Sequence, residues 1–251
     1  MASARKLLYD ASMSSFQESV DAHFPGAVSE IDFLQSSFDA LRVLGFSDDN
    51  SIACVGVCRD ELCRSLVWAA RDVWGQAFNF SSLGGMLTLG TAGFTAAHYH
   101  APIVDGRERY VYIVMPHIGI SAEGELGKCL RAGRHGSSSA CGALTGVLGE
   151  ILSGSLTLGL DPDNTEYSVL KQLLAPRLIG KVVTDIGTLT HLASELIHTE
   201  LERMIELTVD TKVADYAVFT GVQIHMPVEG SLVWIKNKYA CIRGERKELS
   251  W

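Results

Sequence analysis

The chain has 251 residues, of which 47% are hydrophobic and 20% charged, and a formal charge of −8. That is enough apolar material for one large domain or two small ones with a real core. The acidic balance argues against a nucleic-acid partner, because phosphate binding needs a basic surface. No apolar run approaches the ~20 residues that a membrane span needs. The N-terminal Met-Ala-Ser-Ala-Arg-Lys-Leu-Leu lacks the apolar stretch of a secretory signal.

Residues 1–48 read as a helical segment packed on the core. Ser29 with Asp32 three positions on is a capping-box variant. Ile31, Phe33, Leu34, Phe38, Leu41 and Leu44 supply an apolar face, and Gly45 a stop. Ile52 to Val57 is a short apolar run with β-branched residues, the pattern of a buried strand. It ends at Cys58, and a helix is predicted from Asp60 or Glu61, with Leu62, Leu66, Ala69, Ala70 and Val73 at helical spacing. Trp68 and Trp74 on that helix read as packing residues. A thiol thus stands at the carboxyl end of a strand, which is where open α/β sheets bind ligands.

Residues 81–100 are rich in glycine and match neither GxGxxG nor GxxxxGK[ST], so a nucleotide site is rejected. They read either as a flexible loop or as a site wall. Asp105-Gly106-Arg107-Glu108 is a turn. Tyr110 to Met115 is a second strong strand ending at Pro116-His117. Residues 121–138 are polar and read as an insert, followed by a small-residue turn through Cys141 into an apolar helix over 144–152. A short helix over 167–174 is expected to end at Ala175-Pro176. A long amphipathic helix runs from Asp185 to about Leu207. Tyr216–Met226 and Ser231–Arg243 form a hairpin around Pro227-Val228-Glu229-Gly230. The fold class expected is a single α/β domain with a central mixed sheet, a parallel core plus a C-terminal antiparallel hairpin, flanked by helices.

The six cysteines, Cys54, Cys58, Cys63, Cys129, Cys141 and Cys241, do not look like a disulfide framework. A reducing intracellular compartment is expected, where thiols are core residues or metal ligands. Cys58 ends one strand, His117 ends another and Cys141 opens a helix. Together they make a Cys₂His set, the three-ligand pattern of a catalytic zinc with one open position. Such a zinc lowers the pKa of water toward neutrality. Residues 49–251 are therefore read as a zinc-binding α/β domain.

Cys58-Arg59-Asp60, the strand ending in His117, and Cys141-Gly142-Ala143 resemble elements of β-class carbonic anhydrases. In that class the His and second Cys lie close in sequence, whereas here residues 118–140 intervene. That insert, Gly-Arg-His-Gly-Ser-Ser-Ser-Ala-Cys-Gly-Ala-Leu at its end, residues 93–100 and Met115-Pro116-His117-Ile118-Gly119 are similar to the limiting-CO2-inducible B protein family of algae and some bacteria, also called θ-class carbonic anhydrases. The resemblance implies a β-carbonic-anhydrase-like fold, Zn²⁺, CO2 and bicarbonate as substrates, and a homodimer. It also implies a chloroplast location if the source is an alga, otherwise the cytoplasm. Asp60 would position the nucleophile. The β-class Arg that pairs with this Asp lies two residues after it, where Leu62 stands; Arg64 is the nearest forward candidate. Leu83, Leu87 and Phe94 would hold the gas, and His98 or His100 could relay the proton or make structural hydrogen bonds.

Other readings compete with this one. Asp60 could itself occupy the fourth zinc position, leaving a catalytically silent scaffold of a CO2-concentrating mechanism. A cysteine hydrolase with Cys58 as nucleophile would need a His base in reach and leave Cys141 unexplained. A zinc nucleobase deaminase would need H-x-E and P-C-x-x-C, and the chain contains neither.

Overall fold

The computed structural model describes residues 14–251. The first thirteen residues of the expected N-terminal segment lie outside it. Residues 14–23 are helical (α1). The chain then runs β1 (Val28–Ser29), α2 (Glu30–Arg42), β2 (Ile52–Gly56), α3 (Arg64–Trp74), β3 (Ala77–Asn79), α4 (Gly90–His98), β4 (Glu108–Val114) and β5 (His117–Gly119). It continues through β6 (Lys128–Cys129), β7 (Ser138–Ser139), α5 (Gly142–Ser153), α6 (Thr165–Leu178), α7 (Ile186–Thr208), β8 (Ala214–His225), β9 (Ser231–Ile242) and β10 (Glu245–Glu248).

The main sheet has the order β1-β9-β8-β4-β2-β3, with β10 added to β9 and β5 to β8. Strands β3, β2, β4 and β8 pair in parallel, and β8 with β9 is antiparallel. This is the mixed sheet expected from the sequence. Every residue of β2 is buried, which explains its unbroken apolar run: a central parallel strand is covered on both faces. Helix α2 packs with α3, while α4, α5 and α6 gather around α7.

Local chemistry sets the element ends. The Ser29 hydroxyl accepts from the Asp32 N–H at 3.1 Å and donates to the Asp32 carboxylate at 2.7 Å, closing the N-terminus of α2. Asp185 caps α7 in the same way, accepting from Thr188 N–H at 2.8 Å. Gly75, at φ +69°, ends α3, and a side chain there would strike the Asp48 carbonyl.

Several expectations need correction. Ile31 is 77% exposed rather than on the packed face of α2, where Phe33, Leu34 and Leu41 are buried. Trp74 is fully buried, but Trp68, six residues earlier and on a different face of α3, is 62% exposed. Pro176 does not end α6, which continues to Leu178. A proline one turn from the end sacrifices a single intrahelical bond, so the helix can run slightly past it. Residues 81–100 are not a flexible loop: a tight turn at Leu83–Gly85 leads into α4. Among the described residues, no helix is long and apolar enough to cross a membrane.

Candidate active site

The turn after β2 delivers Cys58. Asp60 accepts from the Leu62 N–H at 3.1 Å and starts a short 3₁₀ turn, Glu61–Cys63, which runs straight into α3. The predicted helix start therefore holds, with the 3₁₀ turn inserted. His117 does not end β4. Pro116 lacks the N–H to continue the ladder, so the chain breaks and His117 opens β5, which pairs in parallel with Gln223 of β8. Cys141 is the residue before α5, at the N-terminus of that helix. Exposed N–H groups at a helix start favour a thiolate.

These three side chains converge although they come from distant parts of the chain. Their donor atoms all lie within 4.8 Å of one another, and all three residues are buried. The two sulfurs are 3.8 Å apart. Two zinc–sulfur bonds of ~2.3 Å at a tetrahedral angle would span ~3.8 Å. His117 Nε2 is buried with no hydrogen-bond partner among the described residues. A buried nitrogen without a partner is costly, and a cation bound by its lone pair would satisfy it. Hydrogen bonding from Cys141 draws the Cys58 thiol down to about 4, against the upward pull of burial and with help from His117. Cys141 is pushed up by its contact with Cys58 and by burial. The set could hold a metal ion, and its donor chemistry fits zinc.

Asp60 lies beside the set, with one carboxylate oxygen 4.0 Å from His117 Nε2. Its partner is not Arg64. That residue is exposed at the first position of α3 and makes no hydrogen bond or ion pair to Asp60. Arg131 takes the place, donating to both Asp60 oxygens at 2.9 and 2.6 Å. Arg131 also pairs with Glu61, donates to Ser138 Oγ at 2.9 Å and to the Ser139 carbonyl at 3.2 Å. It sits on the β6–β7 ribbon, inside the segment read as a polar insert. Burial raises the Asp60 pKa, but Arg131, His117 and the Leu62 N–H outweigh burial and hold it at about 2. Arg59 turns outward to Glu166 at 2.9 Å.

A cleft of about 550 Å³ opens onto the set, lined by Cys58, Asp60, Leu83, Arg131, Arg134 and Cys141 among others. Of the three gas-holding candidates, Leu83 lines it, whereas Leu87 and Phe94 are packed in the core. The glycines hold this wall close. Gly85, at φ +75°, passes so near Met115 that a Cβ would lie 2.6 Å from its carbonyl oxygen. His98 is buried, bonds Tyr112 Oη at 2.6 Å and stacks on Tyr110. Burial pushes its imidazole down to about 4. It is a structural hydrogen-bonding residue. His100 is exposed and packs its ring 5.5 Å from Phe78.

Sequence reasoning missed two residues at the site, Arg131 and His225. His225 Nε2 lies 2.8 Å from His117 Nδ1. The signal for it existed: like Cys58, it stands at the carboxyl end of an apolar strand.

A family profile for limiting CO2-inducible proteins B/C, β carbonic anhydrases, matches residues 27–243. The chain belongs to this family. The solved structure of limiting CO2-inducible protein LCIB is 34% identical, covers 91% of this chain and 96% of its own, and superposes with a TM-score of 0.77. PtLCIB4, a homolog of LCIB, has the same fold, with 21% identity, 94% and 100% coverage, and a TM-score of 0.82. Comparison with curated proteins gives no match. The LCIB-family assignment covers the whole span from β1 to β9. It therefore includes the insert that carries Arg131, which interrupts the short His-to-Cys spacing of ordinary β-class enzymes.

Proposed function

We propose that this LCIB-family protein is a zinc-dependent carbonic anhydrase that interconverts CO2 and bicarbonate. The observation that carries the reading is the unpartnered His117 Nε2 facing two thiols whose sulfurs are 3.8 Å apart. Cys58, His117 and Cys141 would hold the ion, and zinc there would supply Lewis acidity toward water.

The protein's own contribution is positioning. Asp60 is ionised at any physiological pH, so it accepts a hydrogen bond from the attacking water and aims its lone pair at CO2. Arg131 fixes both carboxylate oxygens, so Asp60 has one orientation. With both oxygens occupied by Arg131 and one by Leu62 N–H, hydrogen-bond acceptance is favoured over metal ligation. The cleft wall at Leu83 supplies apolar surface for the gas. The expectation of a homodimer now rests on the exposed Trp68 beside a second opening lined by Cys58, Asp60, Arg64 and Val67. The glycine-rich segment buries Met86, Leu87 and Phe94 within its own chain and offers no comparable face.

Stopped-flow CO2 hydration of the zinc-loaded protein, set against Cys58→Ser, tests the reading. Wild type should accelerate hydration, and Cys58→Ser should lose both zinc and rate. A Cys58→Ser variant with full zinc and full rate would overturn the ligand assignment. Light scattering at micromolar concentration tests the dimer.

A further inference from the structure

His117 is joined to a chain of buried polar groups that runs away from the candidate zinc site. His117 Nδ1 meets His225 Nε2 at 2.8 Å, and His225 Nδ1 meets Ser231 Oγ at 2.9 Å. Near its outer end, the Glu30 carboxylate accepts from Gln223 Nε2 at 2.6 Å and from Ser65 Oγ at 3.2 Å. His117, His225, Gln223, Ser231 and Glu30 are all buried. Glu30, His225 and Ser231 line a cleft of about 800 Å³.

The hydrogens in this chain can run in two directions. With Ser231 Oγ accepting from His225 Nδ1–H, His225 Nε2 is a bare acceptor, His117 carries its hydrogen on Nδ1, and the lone pair of His117 Nε2 faces Cys58 and Cys141. With Ser231 donating instead, every link reverses and His117 Nε2 carries the hydrogen. Only the first direction leaves Nε2 able to bind a metal ion.

We propose that His225 and Ser231 form a positioning chain that fixes His117 in its metal-binding tautomer and thereby sets zinc affinity. The proposal rests on the zinc reading above. It also accounts for a second cluster of donors. Cys63, His117 and His225 lie within 4.8 Å of one another. The two imidazoles have already spent their facing nitrogens on each other, so these groups are not a second cation site. Partners that hold a liganding imidazole by its other nitrogen commonly change metal affinity by 10–100-fold.

The test is zinc affinity, measured by competition with a chromophoric chelator, for His225→Phe, His225→Gln and Ser231→Ala. Each apo protein is also checked by thermal melting and by ¹⁵N NMR of the imidazoles. His225→Phe removes the acceptor and should weaken zinc binding by roughly 10–100-fold. His225→Gln keeps an acceptor oxygen and should recover much of the loss. Ser231→Ala should give a smaller loss and a mixed tautomer at His117, with the apo melting temperature near wild type. Should His225→Phe fail to fold, Ser231→Ala with the NMR tautomer decides the matter. Wild-type zinc affinity and an unchanged His117 tautomer in Ser231→Ala would overturn the proposal while leaving the zinc reading intact. A wild-type protein that binds no zinc would instead overturn both.

Discussion

Arg131 reaches across 71 positions of sequence to hold both carboxylate oxygens of Asp60. Both residues are mostly buried, at 17% and 11% side-chain exposure, so the pair is poorly screened by water. Arg131→Ala should lower CO2 hydration by roughly 10²-fold, the scale expected when a positioning contact is lost. Arg64→Ala should leave the rate near wild type. A loss in Arg64→Ala as large as that in Arg131→Ala, by stopped-flow assay, would restore Arg64 to the site.

Asp60 both caps a 3₁₀ turn and faces the candidate zinc. Asn caps about as well as Asp, so the Asp60→Asn variant separates the two roles. It should bind zinc normally, lose roughly 10²-fold in hydration rate, and lose little stability, because Arg131 keeps Glu61, Ser138 and Ser139. Full activity in this variant would reduce Asp60 to a cap.

The sheet and the three metal-binding candidates were legible because they rest on local signals. β2 is an apolar run cut off by a thiol, and Ser29 and Asp32 are three residues apart. Arg131 was not legible, because nothing near it in sequence differs from a solvated loop arginine. Its role comes from the β6–β7 ribbon folding back over Asp60. Trp68 and Ile31 were misjudged for a related reason: an apolar side chain on a helix shows its type but not which face the neighbours cover. His225 was placed correctly on a strand, but its pairing with His117 depends on β5 joining β8 in one register.

Arg107 and Asp215 pair near the far end of the sheet at 2.6 Å, with side-chain exposures of 14% and 5%. Burial pushes the Asp215 carboxyl up, but Arg107 and the Arg243 N–H outweigh it and hold it below its usual range. A depressed folded-state value means that the unfolded chain takes the proton first. The pair's stabilisation is therefore present above ~4, the unfolded value, and fades as pH falls through the lower folded value. Thermal melts from pH 6 to 3 should show a shallower acid loss in Asp215→Asn than in wild type. Arg107→Ala, which leaves the carboxylate with the Arg243 N–H but no ion-pair partner, should cost about 3 kcal/mol at neutral pH. Parallel melting curves for wild type and Asp215→Asn would show that the pair contributes nothing to the acid limb.

Gly85 packs the turn before α4 against the end of the strand that leads to His117. Gly85→Ala should destabilise the fold by about 2 kcal/mol, since it combines a positive φ with a clash against backbone. Denaturant unfolding measures this, and an unchanged midpoint would mean the wall can shift. The zinc content of the folded fraction should fall too, because the displaced Met115–Pro116 backbone carries His117.

The central claim is that this chain hydrates CO2 through a zinc held by Cys58, His117 and Cys141. The most direct measurement is CO2 hydration followed by stopped flow as the metal-free protein is titrated with zinc, with bound metal determined on the same samples. The account predicts a rate that rises with bound zinc and levels off near one equivalent per chain. Protein that binds one zinc at this site yet hydrates CO2 no faster than buffer would contradict it and favour a catalytically silent scaffold.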